Sequence, residues 1–151
     1  MLKKLIFTAL LALGAFANSL SVGSDVSQIK IKNQFDAINP IGAETKTILF
    51  ASDKATSDIL KEYLLSKEGD ILTKNNALYV ADISGMPSLI SKFIALPKMK
   101  KYPFSVMLLD DTNKDFFGKE EGKIIVYSLD NLKVTQMKSI STAKELEEII
   151  K

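Results

Sequence analysis

The sequence predicts an α/β domain, a mixed central sheet of about five strands with helices on both faces. Short, continuous apolar runs suit strands covered on both faces. The first two are each followed by apolar residues at helical spacing. The last third reads as a hairpin and then a capped helix.

Gln28-Ile29-Lys30-Ile31-Lys32 alternates polar and apolar, as a half-buried strand does, and Asn39-Pro40-Ile41-Gly42 reads as a turn. Thr47-Ile48-Leu49-Phe50-Ala51 is the first interior strand. Ile59, Leu60, Tyr63 and Leu64 then lie on one helical face, and Gly69 is a plausible stop. Ala77-Leu78-Tyr79-Val80-Ala81-Asp82-Ile83 is the next interior strand, ending at Ser84-Gly85-Met86-Pro87. Pro87 suits a first helical turn; Leu89, Ile90, Phe93 and Ile94 repeat the earlier apolar spacing, and Pro97 closes the helix.

Residues 104–109 form a third apolar run before a polar loop, and 122–129 another interior strand. Asp130-Asn131 is a two-residue hairpin candidate, and 133–140 returns as a more polar edge strand. Thr142-Ala143-Lys144-Glu145 is a capping box, with Leu146, Ile149 and Ile150 facing inward behind it.

The chain has 151 residues, enough for one domain. It is 46% hydrophobic and 25% charged, as globular proteins are. It contains no Cys, His, Trp or Arg, so all 20 basic residues are Lys. A thiol nucleophile, an imidazole base, a disulfide and a Cys/His zinc site are therefore excluded. So is a bidentate guanidinium clamp on phosphate.

Met1-Leu2-Lys3-Lys4, an apolar run over 5–16 and the small-x-small triplet Ala15-Phe16-Ala17 follow the order of an export signal. A membrane anchor needs roughly 20 apolar residues, more than this run supplies. Residues 1–17 are read as a cleaved signal peptide and 18–151 as a single mature domain of the bacterial periplasm. Removing Lys3 and Lys4 leaves 18 Lys against 18 acidic residues. A neutral domain gives no electrostatic reason to expect nucleic acid or an anionic membrane as partner, and no stable membrane insertion is expected after cleavage.

Ile48-Leu49-Phe50-Ala51-Ser52 with its following helix, Pro103-Phe104-Ser105-Val106-Met107-Leu108-Leu109-Asp110, and the closing hairpin and helix over 122–151 resemble the thioredoxin-like superfamily. The likeness spans 28–151 and is strongest to periplasmic thiol-oxidoreductase and peroxiredoxin-like branches. It implies a Cys-x-x-Cys near Asp53-Lys54-Ala55-Thr56, where neither end is Cys. It also implies a cis-proline before the strand at 123–129, where the residues are Lys119-Glu120-Glu121-Gly122. Pro103 lies earlier, and its isomer is open. Disulfide exchange needs a thiolate, so the resemblance implies a thioredoxin scaffold without thiol redox activity. Tyr79-Val80-Ala81-Asp82-Ile83-Ser84-Gly85-Met86-Pro87 and Glu121-Gly122-Lys123 are also similar to runs in exported bacterial proteins, some carrying an FAD/FMN-containing dehydrogenase label. The chain lacks a Gly-x-Gly-x-x-Gly, and it has no His or Cys to tether a flavin.

The candidate binding crevice comprises Asp53 and Thr56, the turn Ser84, Gly85, Met86 and Pro87, and Glu121 in the loop before Lys123. Each has a plainer reading: Asp53 or Thr56 as a helix cap, and 84–87 as a turn that needs glycine's freedom. Asp111, Asn113 and Asp115 match positions 1, 3 and 5 of an EF-hand loop, but Phe116 replaces its glycine and Gly122 its bidentate ligand. Lys98, Lys100 and Lys101 beside Tyr102 read as a solvated helix end, and Met86, Met99, Met107 and Met137 as core filler. The expectation is a binding module for a periplasmic protein or small ligand, with no cofactor, metal or catalytic residue. The alternatives are a flavin-associated oxidoreductase and an enzyme built on carboxylate and hydroxyl groups such as Asp53 with Ser84.

Overall fold

A computed structural model describes residues 19–151; the expected leader, 1–17, lies outside the described residues. The strands are β1 (Lys30–Lys32), β2 (Ile38–Pro40), β3 (Thr47–Ala51), β4 (Ala77–Asp82), β5 (Met107–Leu109), β6 (Ile124–Asp130) and β7 (Lys133–Ile140). The helices are α1 (Lys54–Leu65), α2 (Ile71–Lys74), the helical stretch 88–99, here α3, and α4 (Ala143–Ile149). Five strands form one sheet in the order β5-β4-β3-β6-β7, and β1 and β2 pair as a separate hairpin. β3, β4 and β5 are parallel, while β6 and β7 are antiparallel to their neighbours.

Alternation along the strands divides the core in two. Leu49, Ala51, Tyr79 and Ala81 point to one face, with Leu60 and Leu64 of α1 and Leu146 of α4. Ile48, Phe50 and Val80 point to the other, with Val26, Ile29, Ile31, Ile41 and Phe117. The steps from β3 to β4 to β5 run in one direction, and right-handed crossovers then deliver α1 and α3 to the same face. Helical cover is therefore unequal. The second face is sealed by the N-terminal segment and by Phe117, which follows a 3-10 turn at Lys114–Phe116.

Two side-chain ties lock this packing. Gln34 is buried, donates to the Phe104 carbonyl at 2.8 Å and accepts from Val106 N–H at 2.8 Å, so it fixes the entry to β5. Tyr63 Oη donates to the Ile150 carbonyl at 2.8 Å, fastening α1 to the end of α4.

Several local expectations change. Pro40 lies in β2 opposite Lys30, in a two-stranded ribbon where its missing N–H is tolerated. α1 ends at Leu65, and the short helix α2 follows Gly69. Pro97 lies inside α3: a π turn over Ser91–Ala95, closed by Leu96 N–H on the Ser91 carbonyl, shifts the bonding register just before the proline. The hairpin turn falls one residue later than expected, on Asn131 and Leu132, both at positive φ. Leu132 is held there by packing on the second core and by Val26 N–H donating to its carbonyl at 2.8 Å. Met107 is core, but Met137 is an exposed side chain on β7.

Replacing Gln34 with Ala should cost about 3 kcal/mol, because it strands the Val106 N–H and the Phe104 carbonyl in the interior. Denaturant unfolding measures it. Thr142 Oγ1 accepts from Glu145 N–H at 3.2 Å, so Thr142→Ala should cost about 1 kcal/mol; an unchanged unfolding midpoint would refute the cap.

Candidate functional site

Because β3 and β4 are parallel and β6 runs against β3, three connections meet at one edge of the sheet. They are Ser52-Asp53 entering α1, the 83–87 turn after β4, and Lys119–Gly122 entering β6, written 119–122 below. Such an edge at parallel strand ends is where open α/β sheets hold ligands.

Asp53 occupies the N-cap of α1. Its Oδ1 accepts from Thr56 N–H and from Thr56 Oγ1, each at 2.8 Å, and its Oδ2 accepts from Gly122 N–H at 2.9 Å. The Gly122 bond, followed by those from Thr56, holds the Asp53 carboxyl below its ordinary value of 3.8. Thr56 is buried beneath the cap and lines no groove. Gly122 has φ +74, the left-handed region that favours glycine.

Asp82, at the end of β4, forms the second tie. Its side chain is 2% exposed, and its Oδ2 lies 2.7 Å from Nζ of Lys119. Its Oδ1 accepts from Ser84 N–H at 2.8 Å. Burial pushes this carboxyl up, but the Lys119 ammonium and the Ser84 bonds outweigh it and hold the group below 3.8. Both carboxylates thus anchor the 119–122 loop to the strand ends.

Beside this edge a groove of about 580 Å³ runs between α1 and α3. Asp53, Lys54, Asp58 and Lys61 form one wall, Ile90, Ile94 and Lys98 the other, and Tyr79 and Ala81 the floor. Asp58 lies 2.7 Å from Lys54 and 3.3 Å from Lys61. The Lys54 bond leads the effects that hold its carboxyl low. Burial pushes the Tyr79 and Tyr102 hydroxyls up, so both are neutral donors at neutral pH.

The sequence-derived crevice residues fall in different places. Asp53, Gly85 and Met86 line the groove; Thr56, Ser84, Pro87 and Glu121 do not. Pro87 is the exposed residue before α3, and Glu121 is exposed. Lys119 and Gly122, not Glu121, carry that loop's contacts to the strand ends. Gly85 is not among the residues at positive φ, so the turn does not need glycine's freedom. Among the described residues no peptide bond is cis, so Pro103 is trans. In the loop after β5, Asp110 Oδ1 accepts from Thr112 N–H and Oγ1, and Asp111 lies 3.3 Å from Lys114, which makes it a self-bonded turn. No described helix is long and apolar enough to cross a membrane.

Sequence reading missed Lys119, Lys61 and the groove itself. The detectable signal was Asp82, an acidic residue closing an otherwise apolar strand, which needs a buried partner.

Asp53→Ala should cost about 1 kcal/mol through the lost cap and release the Gly122 N–H. Gly122→Ala should cost about 1 kcal/mol through strain at its positive φ. The native carboxyls of Asp53 and Asp82 titrate below 3.8. Their contribution is therefore complete above that pH and is lost as the pH falls through the lower native values. The stability difference between the protein and its Asp53→Asn variant should stay constant from pH 7 down to about 5 and shrink below about 4. A difference that grows under acid would contradict the assignment.

No protein-family profile matches the chain, and neither does any curated protein sequence. Solved structures do. A peroxidoxin from Mycobacterium tuberculosis superposes with a TM-score of 0.51 at 13% identity, covering 86% of this chain and 94% of that one. The thioredoxin domain of a thiol-disulfide oxidoreductase from Bacteroides vulgatus gives 0.52 at 14%, covering 87% and 99%. A thio-disulfide isomerase from Thermus thermophilus gives 0.51 at 14%, covering 85% and 94%. At these identities the likeness concerns architecture, and it agrees with the strand order: the chain has a thioredoxin-like fold, and it contains no cysteine.

Proposed function

We propose that this protein is a periplasmic binding module on a thioredoxin-like scaffold, without thiol redox activity, whose ligand or partner segment occupies the groove between α1 and α3. The observation that carries the reading is the contrast within the site. The groove keeps apolar walls at Ile90 and Ile94, while the two carboxylates at the sheet edge are committed to holding the backbone. A general base needs a carboxyl raised toward neutrality. Asp53 and Asp82 are shifted the other way. Ser84, the expected partner of Asp53 in a carboxylate enzyme, lies outside the groove and has its N–H on Asp82. An apolar pocket with a few convergent polar groups is instead the usual form of a recognition site.

The export signal supports the location, and the absence of cysteine removes dithiol exchange. A photoreactive residue at Ile94 should capture a specific species in the intact cell envelope, whereas one at Lys138 on exposed β7 should not. Equal labelling at both positions would refute the groove. Fractionation that leaves the protein in the cytoplasm would refute the location. Flavin absorbance in the purified protein would replace this reading with the oxidoreductase alternative.

A further inference from the structure

α3 carries a second surface that the groove does not explain. Leu89 and Phe93 lie outside the groove lining and are 69% and 67% exposed. Ile94 at 63% and Ile90 at 44% continue the patch to the groove's rim. The spacing of Leu89, Ile90, Phe93 and Ile94 should bury a helix face. Instead Leu96 and Met99, beyond the π turn, pack on the core. The wider turn re-phases the helix, so its two halves present apolar residues in different directions. The result is a cluster of four large apolar side chains left exposed together on one helix, where scattered single ones would be ordinary.

Its surroundings identify the occupant. From residue 83 to 109 there are four Lys and no Asp or Glu. Lys92, Lys98, Lys100 and Lys101 are all exposed, and among the described residues no ion pair engages them. Lys92 Nζ lies 5.9 Å over the Phe93 ring, beside the patch, and Lys98 is one turn beyond Ile94. The acids lining the groove are already bonded: Asp53 to Thr56 and Gly122, Asp58 to Lys54 and Lys61, Asp82 to Lys119. The domain's overall neutrality thus conceals a local cationic, apolar face. A second copy would bring like charges together. A fluid anionic surface complements the lysines and requires no matched pocket. Apolar side chains insert at the headgroup boundary while lysine stems reach out to the phosphates.

We propose that α3 docks this protein reversibly on anionic phospholipid surfaces, with Leu89, Phe93 and Ile94 inserted and Lys92, Lys98, Lys100 and Lys101 on the headgroups. The surface shares Ile94 and Lys98 with the groove wall, whereas Leu89, Lys92, Phe93, Lys100 and Lys101 lie outside the groove lining, so variants at Leu89 and Phe93 test docking without altering the groove. The test is co-sedimentation of residues 18–151 with phosphatidylglycerol/phosphatidylcholine vesicles and with phosphatidylcholine vesicles. Binding to the anionic vesicles should exceed binding to the neutral ones by roughly tenfold or more and weaken with added salt. The double variant Leu89→Ser/Phe93→Ser should lose binding by roughly tenfold or more at an unchanged melting temperature, since both side chains are exposed. Lys98→Glu/Lys100→Glu/Lys101→Glu should lose it as well. No binding to either vesicle would overturn the proposal, as would equal, salt-insensitive binding to both. So would retention by the double variant, or an α3-dependent dimer in light scattering.

Discussion

One carboxylate holds the functional edge of this molecule together. Asp53 lies where parallel strand β3 becomes helix α1, at the positive end of the helix dipole, and takes N–H groups from its own helix start and from Gly122, 69 residues along the chain. A negative charge is favoured there for the same reason a thiolate would be: unpaired amides at the helix start need an acceptor. The resemblance to thioredoxin-like proteins implies a redox motif near 53–56, which this chain lacks. Where a nucleophile would face solvent, this chain carries an anion that caps the helix and latches the loop entering β6.

That latch shapes what the edge can do. With Asp53 and Asp82 both tied to the 119–122 loop, the strand ends are fixed and their carboxylates are committed. Chemical freedom remains on the other side of the groove, along α3, where apolar residues are exposed and lysines are unpaired among the described residues. The proposed recognition role rests on this division between a tied anionic edge and an open apolar, cationic helix.

Much of the fold was legible because burial on both faces leaves a signature that survives without context: the mostly apolar runs read at 47–51, 77–83 and 122–129 each contain a strand. Thr142 and Glu145 likewise announced α4 through local chemistry alone. α3 was harder, because its apolar spacing is the same as that of a buried helix. Only the π turn and the packing of Leu96 and Met99 determine that Leu89 and Phe93 face outward. The candidate site was half legible. Asp53, Gly85 and Met86 could be placed by following parallel strands to their ends. Lys119 could not, since its pairing with Asp82 depends on how a loop 37 residues later returns to the edge, a contact with no sequence period.

The most direct test is a carbon-detected NMR titration of the Asp53 side-chain carboxyl in the folded protein. If this group is the latch, its midpoint lies below the ordinary 3.8 and the Gly122 amide proton shifts with the same midpoint. A midpoint at or above 3.8, or a Gly122 amide indifferent to the titration, would mean that Asp53 is free and that the edge is held by something else.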